Sequence, residues 1–243
     1  DGSPVVNAST GASQEHTYTN ARPYTATLQV ETASGCKSPV FTQDITINSK
    51  PVATFEAPVV CVNDIAAPFN DASTVAGGSI TTWEWNFGDG NATAANPNTS
   101  PLQTATHHYT LPGSYNAQLI AISNAGCRDT IEHAVQVNGA VIDPSFSLEN
   151  INPAMFCSNK TIYIKDGSRV DAGKVSKVEV LWDNPNPGIT TVDTDPQTGE
   201  VYTHNYPVFS NPDTRDVRIA YKVYSGISCV NTYFFDLTLR SVP

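Results

Sequence analysis

The feature that most constrains this chain is a repeat organised around its cysteines. Placing Cys36 over Cys127 aligns HTYTNARPYTATLQVETASGC (His16 to Cys36) with HHYTLPGSYNAQLIAISNAGC (His107 to Cys127), 21 residues without a gap at a spacing of 91. Self-similarity on that scale marks a tandem array of small units. A looser third copy runs from His204-Asn205-Tyr206 through Val217, Ile219, Tyr221 and Val223 to Cys229, and its spacing of 102 residues implies loop insertions.

Each copy alternates apolar and polar residues as a half-buried strand requires. Tyr24, Ala26, Leu28 and Val30 share one face in the first copy, and Tyr115, Ala117, Leu119 and Ala121 share one in the second. A turn at or near the cysteine follows, and then a closing strand: Ile45 and Ile47, Val135 and Val137, Leu237 and Leu239. The expected units are therefore 1–49, 50–139 and 140–243, with short linkers at Ser49-Lys50-Pro51 and Asn138-Gly139-Ala140.

Composition agrees with an all-β extracellular protein. Thr, Ser, Asn, Val and Ala dominate, charged residues are 15%, and 17 Pro with 15 Gly punctuate many short strands. A net charge of −10 without any Lys/Arg cluster excludes a nucleic-acid partner. No apolar run approaches the ~18 residues of a membrane span, and Asp1-Gly2-Ser3-Pro4 is not a signal peptide, so targeting information is expected outside this sequence.

The five cysteines show neither CxxC pairs nor zinc spacing, so disulfides in an oxidising compartment are expected rather than metal. The second copy has an early Cys61 and a late Cys127, and the third has Cys157 and Cys229 in the same places. The pairing expected is Cys61 with Cys127 and Cys157 with Cys229, each worth roughly 4 kcal/mol in the chain-entropy model. Cys36 is then the late cysteine of a unit whose opening strands would lie upstream, making residues 1–49 the back half of a unit with exposed edges.

The run Thr82-Trp83-Glu84-Trp85-Asn86-Phe87-Gly88-Asp89-Gly90, followed by His107-His108-Tyr109 and Pro112-Gly113-Ser114-Tyr115, closely resembles the PKD domain family. The family's W-x-F-G-D-G strand and turn, H-x-Y element and P-G-x-Y turn all occur in order between about Lys50 and Gly139. The first copy fits the tail of the same domain, with Asp1-Gly2 in the place of Asp89-Gly90 and His16-Thr17-Tyr18 in that of His107-His108-Tyr109. The third departs from it: Leu181-Trp182-Asp183-Asn184 keeps a tryptophan, but Phe-Gly-Asp-Gly is absent. The added cysteines resemble variant modules of large secreted and surface proteins of the Bacteroidetes type, including those associated with gliding and type IX secretion. What the resemblance implies is a tandem series of immunoglobulin-like, PKD-type β-sandwiches acting as spacer, adhesive or partner-binding units outside the cell.

Physical chemistry gives the motif residues structural roles. Trp85 and Phe87 share a strand face and can fill the space between two sheets, and Trp83, cofacial with Trp85, is expected to be buried too. Gly88 and Gly90 would allow positive φ, while the Asp89 carboxylate accepts turn amides.

Candidate chemistry is sparse. His16, His107 and His204 recur at equivalent positions, which reads as packing and hydrogen bonding rather than catalysis or metal binding; His133 has no companions. No G-x-S-x-G element occurs, and neither Asp89 nor Asp183 has a partner carboxylate fixed at glycosidase separation, so no enzyme is expected. The loop Asp193-Thr194-Asp195-Pro196-Gln197-Thr198-Gly199-Glu200 lacks the sixth-position glycine of an EF-hand and reads as a hairpin turn. No cofactor is expected; calcium there or at a module junction is the one candidate. Sequons at Asn7, Asn91, Asn98 and Asn159 read as chance matches in so Asn- and Thr-rich a chain.

Tyr163, Tyr202, Tyr224, Tyr233 and Phe235 cannot all be core if the third copy's strands alternate, so they are the candidate binding surface. The expected function is a non-catalytic structural or adhesive segment whose partners are other domains of the same chain and an extracellular protein or polysaccharide. The alternative is a carbohydrate-binding accessory module.

Overall fold

In the computed structural model, which describes residues 3, 5–9, 11–149, 156–184 and 189–242, every regular element is a strand. Asp1 and Gly2, aligned above with Asp89 and Gly90, lie outside the described residues. The first copy supplies β1 (Pro23–Leu28) and β2 (Phe41–Thr46). The second supplies β3 (Val60–Cys61), β4 (Ala67–Asn70), β5 (Ile80–Asn86), β6 (Thr99–Ser100), β7 (Thr104–His107), β8 (Gly113–Ser123) and β9 (Arg128–Asn138). The third supplies β10 (Val141–Asp143), β11 (Phe146–Leu148), β12 (Phe156–Cys157), β13 (Thr161–Asp166) and β14 (Arg169–Val170), then β15 (Lys177–Leu181), β16 (Thr190–Asp193), β17 (Val201–Asn205), β18 (Thr214–Tyr224) and β19 (Val230–Arg240).

Two sandwiches result, and their large sheets match strand for strand. One has the order β3-β9-β8-β5-β6 and the other β12-β19-β18-β15-β16. Each faces a small sheet, β4-β7 in the first and β11-β13-β17 in the second. The cores are those that alternation demands. Ala117, Leu119, Val135 and Val137 pack with Phe55, Phe69, Trp85 and Phe87 in one, and Ile162, Ile164, Val178, Val180, Trp182, Ile219, Tyr221 and Leu237 pack together in the other.

The third copy reaches this topology with a rearranged set of large side chains. In the middle sandwich Trp85 lies opposite Leu119, whereas in the third Val180 lies opposite Tyr221. Bulk has moved across the strand pair while the core stays filled, the kind of exchange that close-packed interiors tolerate. Trp182 is therefore not the counterpart of Trp85. Its indole stacks on His204 at 5.1 Å and its carbonyl accepts the Tyr206 hydroxyl, as the Phe87 ring stacks on His107 at 4.6 Å and the Phe87 carbonyl accepts Tyr109.

Two motif expectations need correction. Trp83 is only half-buried, because its indole N–H reaches the Asp71 carboxylate (2.7 Å) near the sheet edge. Of the two motif glycines, only Gly88 has positive φ (+69°), and a methyl there would sit 2.4 Å from the Asn116 carbonyl oxygen; Gly90 has open space around it. In the first copy β1 and β2 pair with each other and Tyr24 is buried against Tyr18 at 4.2 Å, but further along the same face Leu28 is 61% exposed where its counterpart Leu119 is fully buried.

The disulfide expectation is overturned: the bridge is Cys61–Cys229, and Cys36, Cys127 and Cys157 are free thiols. Strand length explains this. Cys61 pairs in parallel with Asn138 at the end of β9, whereas Cys127 immediately precedes its start. β9 is 11 residues long, so at about 3.3 Å per residue the two cysteines lie ~36 Å apart along it, against the ~7 Å between Cα atoms that a bridge allows. β19 separates Cys157, opposite Arg240, from Cys229 in the same way.

The glycine difference gives a direct test. Gly88→Ala is expected to destabilise the protein by at least ~2 kcal/mol, from left-handed strain plus the backbone shift, and Gly90→Ala by less than ~0.5 kcal/mol. Guanidinium unfolding midpoints of the two variants check it; equal losses would show that the two turn positions are equivalent.

Candidate functional site

The most elaborated polar site in the molecule is the contact between the two sandwiches. β3 and the end of β9 bring Cys61, Asp64 and Asn138 to one end of the middle sandwich, and the β18–β19 hairpin brings Ser225, Gly226, Ile227, Ser228 and Cys229 against them. The cysteine Cα atoms are 6.1 Å apart. In the chain-entropy model a loop of 168 residues is worth about 5 kcal/mol.

Asp64 organises the rest. Its carboxylate is 5% exposed and accepts the amides of Cys61 (2.8 Å), Ile227 (2.9 Å) and Ser228, together with the Ser228 hydroxyl. Burial pushes its pKa up, but the Ser228 hydroxyl and the Cys61, Ile227 and Ser228 amides outweigh this and hold the carboxyl below its ordinary 3.8. Asn138, also buried, donates its side-chain N–H to the Ser225 carbonyl (2.6 Å) and accepts the Lys174 amide (3.1 Å). The Ser225 hydroxyl donates to the Gly139 carbonyl (2.6 Å). Gly226 is required by proximity: a Cβ there would stand 2.5 Å from the Cys61 nitrogen.

None of Asp64, Ser225 or Gly226 was singled out in the sequence, and Asn138 was read only as part of a linker. The available signal was a length: eleven residues of strand between Cys127 and the boundary at Gly139 already place the early and late cysteines at opposite ends of one unit.

The recurring histidines make equivalent ring contacts, although His16 is exposed where His107 is buried and His204 half-buried. His16, His107 and His204 meet Tyr18, Tyr109 and Tyr206 edge-on at 4.6, 4.7 and 4.6 Å. His107 Nε2 bonds the Asp89 carboxylate at 3.0 Å, both side chains being buried, and Asp89 also accepts the Asn91 amide at 2.8 Å. Around His204 the carboxylate is replaced: Nε2 is buried without a hydrogen-bond partner, and burial lowers the imidazole pKa. Pro112 and Gly113 lead into β8, where Tyr115 packs on Tyr109 at 4.4 Å.

The aromatic candidates of the third copy do not converge. Tyr202 is core and donates to Asp193 (2.9 Å), and Tyr224 carries the Lys177 ammonium over its ring at 3.8 Å while donating to Glu179 (2.7 Å). Tyr233 and Phe235 lie on the core-facing side of β19 against Phe146, and Tyr163 lies on the outer face of the opposite sheet. The aromatic that does project outward from β19 is Phe234, beside Arg218. In the loop 193–200 the carboxylates close their own turn, Asp193 accepting the Asp195 amide (3.0 Å) and Glu200 the Gln197 amide (2.8 Å). Among the described residues no group of three or more His, Cys, Asp or Glu could hold a metal, and no helix is long and apolar enough to cross a membrane.

The family model described as the PKD domain matches residues 48–138. The chain belongs to the PKD family through this stretch. Similar solved structures include the PKD1 domain of the Vibrio cholerae metalloprotease PrtV, with 30% identity over 36% of this chain and 96% of that one at a TM-score of 0.31. The PKD1 domain of Vibrio anguillarum Epp has 24% identity over 37% and 95%, at 0.32. The Clostridium thermocellum CbhA fibronectin(III)-like modules have 17% identity over 78% and 94%, at 0.47. No curated protein matches the chain. PKD domains are typically extracellular and generally non-catalytic, and the disulfide agrees with an oxidising compartment.

Two predictions follow from the ionisable groups. Because its folded pKa is depressed, the Asp64 contribution should be complete above about pH 4 and fade as pH falls through the folded value. Asp64→Ala should remove about 1–3 kcal/mol and speed dithiothreitol reduction of Cys61–Cys229, which mass mapping against time would show. For His204, burial lowers the folded pKa, so unfolded chains take up the proton first and stability declines as pH drops below about 6.5. His204→Phe should flatten this decline between pH 7 and 5 in denaturant titrations, and an unchanged slope would remove His204 as its source.

Proposed function

We propose that the chain is a non-catalytic structural segment of a larger modular protein, at the cell surface or secreted, acting as a rigid spacer or protein-interaction unit. Its units are 1–49, 50–139 and 140–243. The observation that carries this reading is the joint, where the two sandwiches are held together by a covalent bridge and by a buried carboxylate that accepts four hydrogen bonds. Such a contact suits a chain whose task is to hold two beads at a fixed angle. The preceding linker is anchored too: Pro51 is buried, Lys50 pairs with Asp129 at 2.5 Å, and Asp129 accepts the Ala53 amide at 2.8 Å.

Against catalysis stands the burial of the carboxylate–imidazole pair Asp89 with His107, since both groups would have to leave the core to meet a substrate. A polysaccharide-binding role would require a flat aromatic platform, and the candidate rings are dispersed over two sheets or engaged internally.

Small-angle scattering tests the spacer. The native protein should fit one arrangement of the two sandwiches, and combining Cys61→Ser, Cys229→Ser and Asp64→Ala should broaden the ensemble. A native protein that already needs a broad ensemble would overturn the reading. Glycan-array binding abolished by Tyr163→Ala would establish carbohydrate recognition instead.

A further inference from the structure

Cys157 occupies the same local frame as Cys61. Each lies on a two-residue opening strand that runs parallel to the end of the closing strand, Val60-Cys61 beside Val137-Asn138 and Phe156-Cys157 beside Leu239-Arg240. In each, the residue after the cysteine donates its amide to the last closing-strand carbonyl: Val62 to Asn138 at 3.0 Å, and Ser158 to Arg240 at 2.9 Å. The third residue on then closes a turn to the cysteine carbonyl, Asp64 at 2.9 Å and Lys160 at 3.0 Å. The frame around Cys61 holds a hairpin cysteine, while the thiol of Cys157 is free. Beside that thiol the Ser158 hydroxyl is buried without a hydrogen-bond partner, a second sign of a contact surface awaiting its other half.

The other half of the joint also recurs. Cys36, Cys127 and Cys229 each end a hairpin in which the residue four positions earlier donates its amide to the cysteine carbonyl: Thr32 at 2.9 Å, Ser123 at 2.9 Å and Ser225 at 3.0 Å. The hairpins differ in three respects: Ala33 and Asn124 stand where Gly226 does, the Thr32 and Ser123 hydroxyls accept the cysteine amide whereas the Ser225 hydroxyl donates to the Gly139 carbonyl, and the amide before the cysteine has a different acceptor. Gly35 and Gly126 donate their amides back to Thr32 and Ser123, whereas Ser228 donates to Asp64. The Cys157 end has Lys160 where the Cys61 end has Asp64, so it offers no carboxylate for a freed amide. It suits a hairpin whose glycine amide is already satisfied, the kind that carries Cys36 and Cys127.

We propose that the end of the third sandwich around Cys157 is a docking site for the glycine–cysteine hairpin of another repeat of this kind, and that Cys157 forms with its cysteine a bridge equivalent to Cys61–Cys229. This rests on reading the chain as part of a tandem array. In forming the bridge the two thiols lose two protons and two electrons to a disulfide donor, which leaves as two thiols; with oxidised glutathione, two glutathione molecules are released.

The test uses the full chain, whose exposed Cys36 hairpin can supply the partner from a second copy. At about millimolar protein, the effective concentration that a short linker provides, oxidised glutathione should yield covalent head-to-tail oligomers. Peptide mapping should show Cys157 joined to Cys36 or Cys127 of another copy with Cys61–Cys229 intact, and Cys157→Ser should abolish the ladder. Cys157–Cys157 or Cys36–Cys36 links as frequent as mixed ones would overturn the proposal, as would thiols consumed by glutathione without oligomers. Either failure leaves the scattering test of the Cys61–Cys229 joint untouched, so the docking site and the spacer are judged separately.

Discussion

The length of the β8–β9 and β18–β19 hairpin arms governs how this protein is held together. Eleven-residue closing strands carry the chain from one end of each sandwich to the other, so a cysteine before the strand and one beside its end cannot meet within a unit. In a tandem series the hairpin turn of one unit instead lies against the opening strand of the unit before it. A pair of cysteines that cannot staple a unit thus becomes a staple between units. The covalent stabilisation shifts accordingly, from the core of each sandwich, which holds no disulfide, to the contact between them.

Inside each unit the invariant element is geometric rather than chemical. The edge-on His–Tyr pair recurs in all three copies within a tenth of an ångström, and the tyrosine hydroxyl of the second and third copies reaches the same backbone carbonyl. The carboxylate beside the imidazole is present in the second copy and missing in the third, where a nitrogen is left unbonded instead. A motif whose aromatic contacts persist while its ionisable partner varies is a corner of the fold, since chemistry would have required the reverse. The same independence of shape from identity lets Val180 and Tyr221 replace Trp85 and Leu119.

Much of this architecture is legible in the sequence because it rests on periods of two and on turn residues. Tyr115, Ala117, Leu119 and Ala121 announce their buried face, and the 91-residue spacing of Cys36 and Cys127 announces the array. Gly88 and Gly90 look alike in sequence, and only the approach of the Asn116 carbonyl distinguishes them. The joint was hidden for a deeper reason. Asp64, Asn138 and Gly226 join the two sides of the joint across 87 or more residues of chain, and no local pattern relates a carboxylate on a turn to amides in a hairpin of the next unit. The aromatic residues of the third copy misled in the opposite direction, because composition says how many rings there are but not that Tyr202 turns inward and Tyr224 lies beneath Lys177.

The joint combines two fastenings with different vulnerabilities. A disulfide yields to reductant and is indifferent to mild acid, whereas the Asp64 carboxylate is indifferent to reductant and is lost only when protonated, which its hydrogen bonds defer to below the ordinary carboxylate range. Both fastenings hold the Gly226 backbone against Cys61, where an added Cβ would stand 2.5 Å from the Cys61 nitrogen. The surviving contact keeps the broken group close to its partner, and re-formation is a local event at high effective concentration. A contact built from one bond of each kind is fully undone only when reductant and acid act on it together.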